Sequence, residues 1–123
     1  MIWRVTTRRD FEALRRGRRR RNGPLMITVA RDAREIMATE GITTQSSNPK
    51  VAYAIGRTVG NAAARNRLRR RLRAIMAEDA DRLVPATYLI AARADAAELT
   101  FTQLQAHLRG ALADLGVLSG AEA

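Results

Sequence analysis

The strongest helical pattern in the chain lies at residues 60–76, which read GNAAARNRLRRRLRAIM. At about 100° per residue, Asn66, Arg70 and Arg73 fall on one side of the predicted helix. The opposite side is a stripe of apolar residues: Ala64, Leu68, Leu72, Ile75 and Met76. The pattern predicts a helix that packs by its aliphatic side and presents guanidinium groups outward.

The outward side of this helix has no counter-charges of its own. Six of the nine residues from Arg65 to Arg73 are arginine, and no Asp or Glu occurs between Thr58 and Met76. Most charged helix faces are simply solvated, but like charges one turn apart cost roughly a few tenths of a kcal/mol per pair. Arginine can bind phosphate bidentately and can stack on bases. We therefore expect this face to bind a polyanion.

The net charge of the chain points to the same class of partner. The 123 residues include 22 Lys and Arg against 12 Asp and Glu, a net charge of +10. Residues 1–75 carry 19 basic and 5 acidic side chains, whereas residues 76–123 carry 3 and 7. A nucleic acid would relieve this concentration of positive charge. A lone basic helix between strands is not a helix-turn-helix, so structured RNA is favoured over DNA.

Composition excludes several other classes of protein. The chain has no cysteine, which excludes disulfides, thiolate zinc sites and a cysteine nucleophile. Its apolar runs fall far short of the roughly 18 residues of a membrane span. The N-terminal residues also lack the apolar stretch of a signal peptide. We expect a cytoplasmic protein of one domain, residues 1–123, with a long or mobile loop at 31–49 and a tail at 117–123.

The remaining segments predict helices packed on a small sheet. A short helix is expected from its cap at Thr7 to Gly17, followed by a basic cluster that ends in the turn signal Asn22-Gly23-Pro24. The central helix is expected to reach Val84, before Pro85. A last helix begins near Thr100 and ends at Gly116. Apolar runs predict three strands: Leu25–Ala30, Val51–Ile55 and Thr87–Ala92. The fold class is α+β or α/β.

The sequence from Gly60 to Arg73, with Arg-Asn-Arg at 65–67, resembles the signature helix of the bacterial ribonuclease P protein subunit family. Two flanking segments are also similar to that family: Arg9-Asp10-Phe11 followed by Gly17, and residues 88–93 followed by Leu99-Thr-Phe101. The resemblance covers roughly residues 4–115. It implies an α+β fold with a small mixed sheet in α-β-β-β-α-β-α order and a left-handed β-α-β crossover (ribosomal protein S5 domain 2-like).

The resemblance implies a role in removing the 5′ leader from precursor tRNA. The catalyst would be the RNA component, using Mg2+ bound mainly by that RNA, and the protein would have no catalytic residues. The protein would bind the leader and stabilise the folded RNA and its metal ions. Partners would be the catalytic RNA and the leader, with no membrane and no required homo-oligomer.

Site residues follow from the resemblance position by position. The residues expected to contact the catalytic RNA are Arg57, Asn61, Arg65, Asn66, Arg67, Arg69, Arg70 and Arg73. Of these, Asn66 would also lie near a metal ion shared with the RNA. The residues expected to line a leader cleft are Phe11, Arg15, Thr28 and Tyr53.

This chain departs from the family pattern at three of these positions. Arg15 stands where many members have a second aromatic residue, and Thr28 stands where a cleft aromatic is expected. Gly56-Arg57-Thr58 replaces Ser-Lys-Lys. The departures suggest that leader binding relies more on charge than on stacking.

Other chemistry-bearing residues carry weaker signals. His107, the only histidine, has no ligand-spaced partner and is expected to be structural. The cluster Glu78, Asp79 and Asp81 is expected to be a solvated acidic patch rather than a metal site. Two alternative functions stay open at this point: a structural RNA-binding protein, ribosomal or chaperone-like, and a DNA-binding regulator.

Overall fold

A computed structural model of the protein describes residues 2–5, 7–30 and 49–118. Within these residues, no helix is long and apolar enough to cross a membrane. Single turns of 3-10 helix occur at Arg57–Val59, Ala80–Arg82 and Ala94–Glu98. The main elements are β1 (Trp3–Arg4), α1 (Arg8–Arg15), β2 (Arg18–Asn22), β3 (Leu25–Ala30), β4 (Lys50–Ile55), α2 (Ala62–Glu78), β5 (Thr87–Ala92) and α3 (Phe101–Asp114).

The five strands form one mixed sheet in the order β1-β4-β5-β3-β2. β4 is parallel to both β1 and β5, and β3 is antiparallel to both β5 and β2. α2 connects the neighbouring parallel strands β4 and β5. The predicted α+β class and the α-β-β-β-α-β-α order are confirmed, with β1 as an added short edge strand. The left hand implied for the crossover stays a prediction.

The helices begin where their capping residues predict. The amide of Asp10 donates to Oγ1 of Thr7 at 3.1 Å, so Thr7 caps α1. Thr100 and Gln103 form a capping box at the start of α3. Each cap satisfies backbone donors that would otherwise lack a partner at the helix start.

The sheet has two faces that are covered differently. α2 and α3 pack on one, which we call the α2 face, where the core residues of β3 and β5 include Ile27, Tyr88 and Ile90. The predicted stripe of α2 is confirmed, because Leu72 and Ile75 are fully buried there. α1 packs on the other, which we call the α1 face. Side chains alternate between the two faces along each strand.

The structure differs from the sequence predictions in the basic cluster, the end of α2 and the C-terminal tail. The basic cluster forms β2, an edge strand that pairs with β3. α2 ends at Glu78 instead of reaching Val84, because the chain turns at Asp79. The predicted tail begins too early, since Val117 is 4% exposed and Leu118 forms a β-bridge with Leu83. Residues 31–48 of the predicted loop and 119–123 of the predicted tail lie outside the described residues.

Candidate nucleic-acid interface

The outer side of α2 is an exposed cationic surface. Asn66, Arg67, Arg70 and Arg73 are all exposed. Within the described residues, no arginine from Arg65 to Arg73 forms an ion pair with a carboxylate. This surface therefore keeps its full positive charge available to an external anion, as the sequence pattern predicts. We call it the arginine face.

Two arginines of α2 donate hydrogen bonds to neighbouring groups, and a third, Arg65, is half-buried. Nη1 of Arg69 donates to Oδ1 of Asn66 at 2.8 Å, one turn away. Nη1 of Arg71 donates to the backbone oxygen of Leu99 at 3.1 Å, which attaches the inner flank of α2 to the segment before α3. Arg65 is half-buried, and its Nε atom is buried without a hydrogen-bond partner among the described residues. Arg65 thus lies at the edge of the arginine face rather than at its centre.

The start of α2 extends the arginine face toward β4. Asn61 is exposed, but its Oδ1 accepts from the amide of Ala64 at 2.9 Å and caps the helix. Its amide nitrogen remains available as a donor. Arg57 is exposed in the 3-10 turn just before. Both residues are among the predicted RNA contacts. The capping role of Asn61 was not predicted, although its position three residues before Ala64 signals it.

The surroundings of Asn66 do not fit a metal ion held by the protein alone. Its amide oxygen already accepts from Arg69, and the neighbouring charges are positive. Hard cations such as Mg2+ need several oxygen ligands, usually including a carboxylate. No group of three His, Cys, Asp or Glu residues that could hold a metal ion occurs in the described ranges.

The α1 face forms a second surface, bordered by α1 and β2. Two cross-strand rows form its floor, Arg21–Met26–Ala91–Ala54 and Arg19–Thr28–Leu89–Ala52. The first row is open, because Met26 and Ala91 are half-buried and Ala54 is exposed. Small apolar side chains thus make a shallow floor with exposed arginines of β2 along one edge. We call this surface the sheet cleft.

The structure places two of the four predicted cleft residues at the wall of the sheet cleft. Phe11 is 46% exposed on α1, and Arg15 is exposed one turn later. Thr28 lies on the correct face, but it is only 5% exposed beside Gly17 and offers little surface to a ligand. The role of Thr28 in leader binding stays a prediction.

Tyr53 lies on the opposite face of the sheet. It pairs with Ile90, whose side chain belongs to the core on the α2 face. The guanidinium carbon of Arg73 lies 5.8 Å from the centre of the Tyr53 ring, a cation–π distance. Burial raises the pKa of Tyr53 to about 12, although the nearby Arg73 acts to lower it. The prediction that Tyr53 and Phe11 share one cleft is wrong, because alternation along β4 separates them.

β2 contributes two arginines to the sheet cleft that were not among the predicted site residues. Arg18 and Arg20 point to the α2 face, where they contact the backbone oxygen of Leu115 and the carboxylate of Asp114. Arg19 and Arg21 therefore point to the sheet cleft, as register with β3 requires. The signal was present, since a turn directly before an apolar strand indicates a hairpin.

Asp79 of the acidic cluster and His107 both have structural roles. Asp79 is buried, and its carboxylate accepts from Arg82 and Arg109, which ties the end of α2 to α3. Burial acts to raise the pKa of Asp79, but these hydrogen bonds outweigh it and hold the pKa below its usual value. Nδ1 of His107 lies 2.7 Å from Oδ1 of Asn22 and joins α3 to the β2–β3 hairpin. The expectation that Glu78, Asp79 and Asp81 form a solvated patch is therefore wrong for Asp79, which is buried, whereas Glu78 and Asp81 are exposed.

Comparisons with known proteins identify relatives of this chain. A family profile described as Ribonuclease P matches residues 2–116. The ribonuclease P protein component of Brucella melitensis is 37% identical over 109 residues, which cover 87% of this chain and 75% of the relative. That of Micrococcus luteus is 32% identical over 114 residues, which cover 89% and 84%.

Solved structures show the same fold. The RNase P protein of Staphylococcus aureus superposes with a TM-score of 0.77 at 19% identity, covering 95% of this chain and 98% of that one. The RNase P protein from Thermotoga maritima gives a TM-score of 0.68 at 18% identity, with coverages of 87% and 92%.

Proposed function

Because the chain belongs to the ribonuclease P protein family and is the protein subunit of that endoribonuclease complex, we propose that the RNA component carries out the cleavage. In this division of labour, the protein binds the 5′ leader of precursor tRNA and stabilises the catalytic RNA with its metal ions. The family match does not favour a structural RNA-binding protein without a part in cleavage.

The arginine face is the observation that carries the proposal. Its guanidinium groups are exposed and form no ion pair within the described residues, and each can bind a phosphate bidentately. Neutralising phosphates also releases condensed counterions, which drives binding at low salt. We assign the catalytic RNA to this surface because α2 holds it rigidly against the core through Leu68 and Leu72.

The sheet cleft is the surface proposed for the leader. A single RNA strand needs a groove with positive edges and an apolar or aromatic platform for its bases. The sheet cleft has Arg19 and Arg21 on one edge and Phe11 and Arg15 on the α1 wall. It has one exposed aromatic ring, so charge contributes more than stacking to leader binding.

Mg2+ belongs to the RNA in this proposal. The protein lowers the Mg2+ requirement indirectly, because its arginines neutralise phosphates that would otherwise need cations.

Reconstitution with a bacterial ribonuclease P RNA and a precursor tRNA tests the proposal. Added protein should permit cleavage at a Mg2+ concentration where the RNA alone is inactive. It should also increase affinity for leader-bearing precursor more than for mature tRNA. The variant Arg70→Ala/Arg73→Ala should lose most of the cleavage at this low Mg2+ concentration. The control Arg20→Ala/Arg93→Ala removes the same charge from arginines paired with Asp114 and Asp95. It should support cleavage at low Mg2+ as well as the unaltered protein does. No gain in cleavage with the unaltered protein would contradict the proposal.

A further inference from the structure

A cleft of about 790 Å³ lies between β1, β4 and one flank of α2. β1 pairs only with Lys50 and Val51, so among the described residues the edge of β4 from Ala52 to Ile55 has no neighbouring strand on this side. The cleft is bounded by Tyr53 and by α2, which places it across the sheet from Phe11. We call it the edge cleft, and it is distinct from the sheet cleft.

The inner wall of the edge cleft is apolar and partly aromatic. Val51 and Val5 are buried along it, and Ala77 contributes a small side chain from α2. The half-buried ring of Tyr53 lies beside them, with Arg73 over the ring. A planar apolar group that enters the edge cleft would therefore meet a ring and aliphatic side chains.

The rim of the edge cleft is cationic. It contains Arg4, Arg69 and Arg73 against one carboxylate, that of Asp81. None of these four side chains forms an ion pair within the described part of the chain. An anion is therefore favoured at the rim, and Asp81 can accept a hydrogen bond from a neutral N–H group.

We propose that the edge cleft holds one unstacked nucleotide of an RNA strand, its base against Tyr53 and the apolar wall and its phosphates on Arg69 and Arg73. A nucleotide is the ligand that combines a planar apolar group with flanking negative charge. Stacking of a base on an aromatic ring contributes about 1–3 kcal/mol. Asp81 favours bases that carry an exocyclic amino group, whereas the N3–H of uracil lies between two carbonyl oxygens that a carboxylate repels, so uracil should bind least well.

The arginines of the edge cleft identify which RNA supplies this nucleotide. Arg69 and Arg73 also belong to α2, and Arg73 is part of the arginine face assigned to the catalytic RNA. A strand that crosses the arginine face can thus turn one base into the edge cleft. This choice of RNA rests on the proposed function, whereas the nucleotide site itself does not.

Binding of mononucleotides to the full chain tests the site directly. The four nucleoside 5′-monophosphates and ribose 5-phosphate are titrated separately, and the Tyr53 ring and Val51 methyl signals are followed by NMR. We expect the amino-bearing nucleotides to shift these signals and to bind about tenfold more tightly than ribose 5-phosphate. Equal binding of ribose 5-phosphate, or shifts confined to the sheet cleft, would overturn the proposal.

Two variants separate base recognition from folding. Tyr53→Leu keeps apolar bulk without the ring and should lower nucleotide affinity about tenfold. Asp81→Asn changes an exposed side chain and should reduce the difference in affinity between uridine monophosphate and the amino-bearing nucleotides. The control Asp95→Asn changes a carboxylate outside the edge cleft and should leave that difference unchanged. An unchanged base preference in Asp81→Asn would refute the role of that carboxylate even if Tyr53→Leu fails to fold.

The assembled complex identifies the source of the nucleotide. Tyr53→Leu should weaken binding to the catalytic RNA and leave the added affinity for leader-bearing over leaderless tRNA unchanged. Loss of that added affinity instead would assign the edge cleft to the leader and overturn the assignment to the catalytic RNA. Failure of the cleavage test together with retained mononucleotide binding would refute the proposed function and keep the nucleotide site.

Discussion

Nζ of Lys50 lies 3.1 Å from Oδ2 of Asp10, and the two side chains are only 9% and 7% exposed. The contact joins α1 to β4 across 40 residues of sequence. Asp10 is followed directly by Phe11, the exposed ring at the wall of the sheet cleft. A buried ion pair thus fixes the helix that forms one wall of the surface proposed for the leader.

Removing one partner of this pair should destabilise the protein strongly. Asp10→Ala removes one partner of a buried ion pair, and such a change costs about 3–5 kcal/mol. Urea unfolding should show this loss. The double variant Asp10→Leu/Lys50→Met should recover much of it, because it removes the two paired charges together. A loss below roughly 0.5 kcal/mol in Asp10→Ala, the usual size for a surface substitution, would show that the pair does not hold α1 in place.

The arginine face should determine the salt dependence of RNA binding. Each phosphate contact contributes roughly 0.7–0.9 to the slope of log K against log salt. Arg70→Ala/Arg73→Ala should therefore reduce the magnitude of the slope by roughly 1.4–1.8. Titration of the catalytic RNA at several salt concentrations measures it.

The same double variant should change stability little. Both side chains are exposed, and within the part of the chain that the structure describes the substitutions remove one cation–π contact, that between Arg73 and Tyr53, worth about 0.5–1 kcal/mol. Thermal unfolding checks this expectation. A variant that no longer folds would mean that these arginines support the core rather than the RNA.

Gly23 should not tolerate a side chain. Its φ of 59° is unfavourable for other residues, and an added Cβ would lie 2.6 Å from Cε1 of His107. Gly23→Ala should destabilise the protein by about 2 kcal/mol in urea unfolding. Gly56→Ala is the matched control, since φ there is −86° and nothing lies within 4 Å of the added atom. Equal effects of the two substitutions would contradict the close packing of the hairpin on α3.

Acid should weaken the contact between α2 and α3 through Asp79. Its pKa is lowered in the folded protein, so its contribution to stability is complete above the ordinary value of 3.8 and is lost as pH falls through the lower folded value. Asp79→Asn should be less stable than the unaltered protein at neutral pH by about 2 kcal/mol. The difference should shrink below pH 3.8. A constant difference across this range would exclude the carboxylate as its cause.

Much of the fold was predictable where pattern and capping agree. The strands Leu25–Ala30 and Thr87–Ala92 match the prediction at both ends, since a turn or a proline precedes each apolar run. The apolar stripe of α2 also fixed which of its sides would be exposed. Local spacing was sufficient there because a helix face depends only on neighbours along the chain.

The errors arose where distant residues decide the structure. The arginines of β2 resemble a solvated cluster until pairing with β3 sends alternate side chains to opposite faces. Tyr53 was assigned to the wrong cleft because its face depends on the register of β4 with β5. The end of α2 depends on Asp79 accepting from Arg109, 30 residues away. None of these contacts leaves a periodic signal in the sequence.

The buried position of Lys50 has a consequence for covalent regulation. It is the only lysine of the chain, and every other basic side chain except His107 is a guanidinium group. Lysine acetyltransferases therefore have no accessible ε-amine with which to tune RNA affinity, and amine-reactive reagents should label Lys50 only after the chain opens. The rate at which that amine is modified therefore reports how often the chain unfolds, and the modification does not regulate RNA binding.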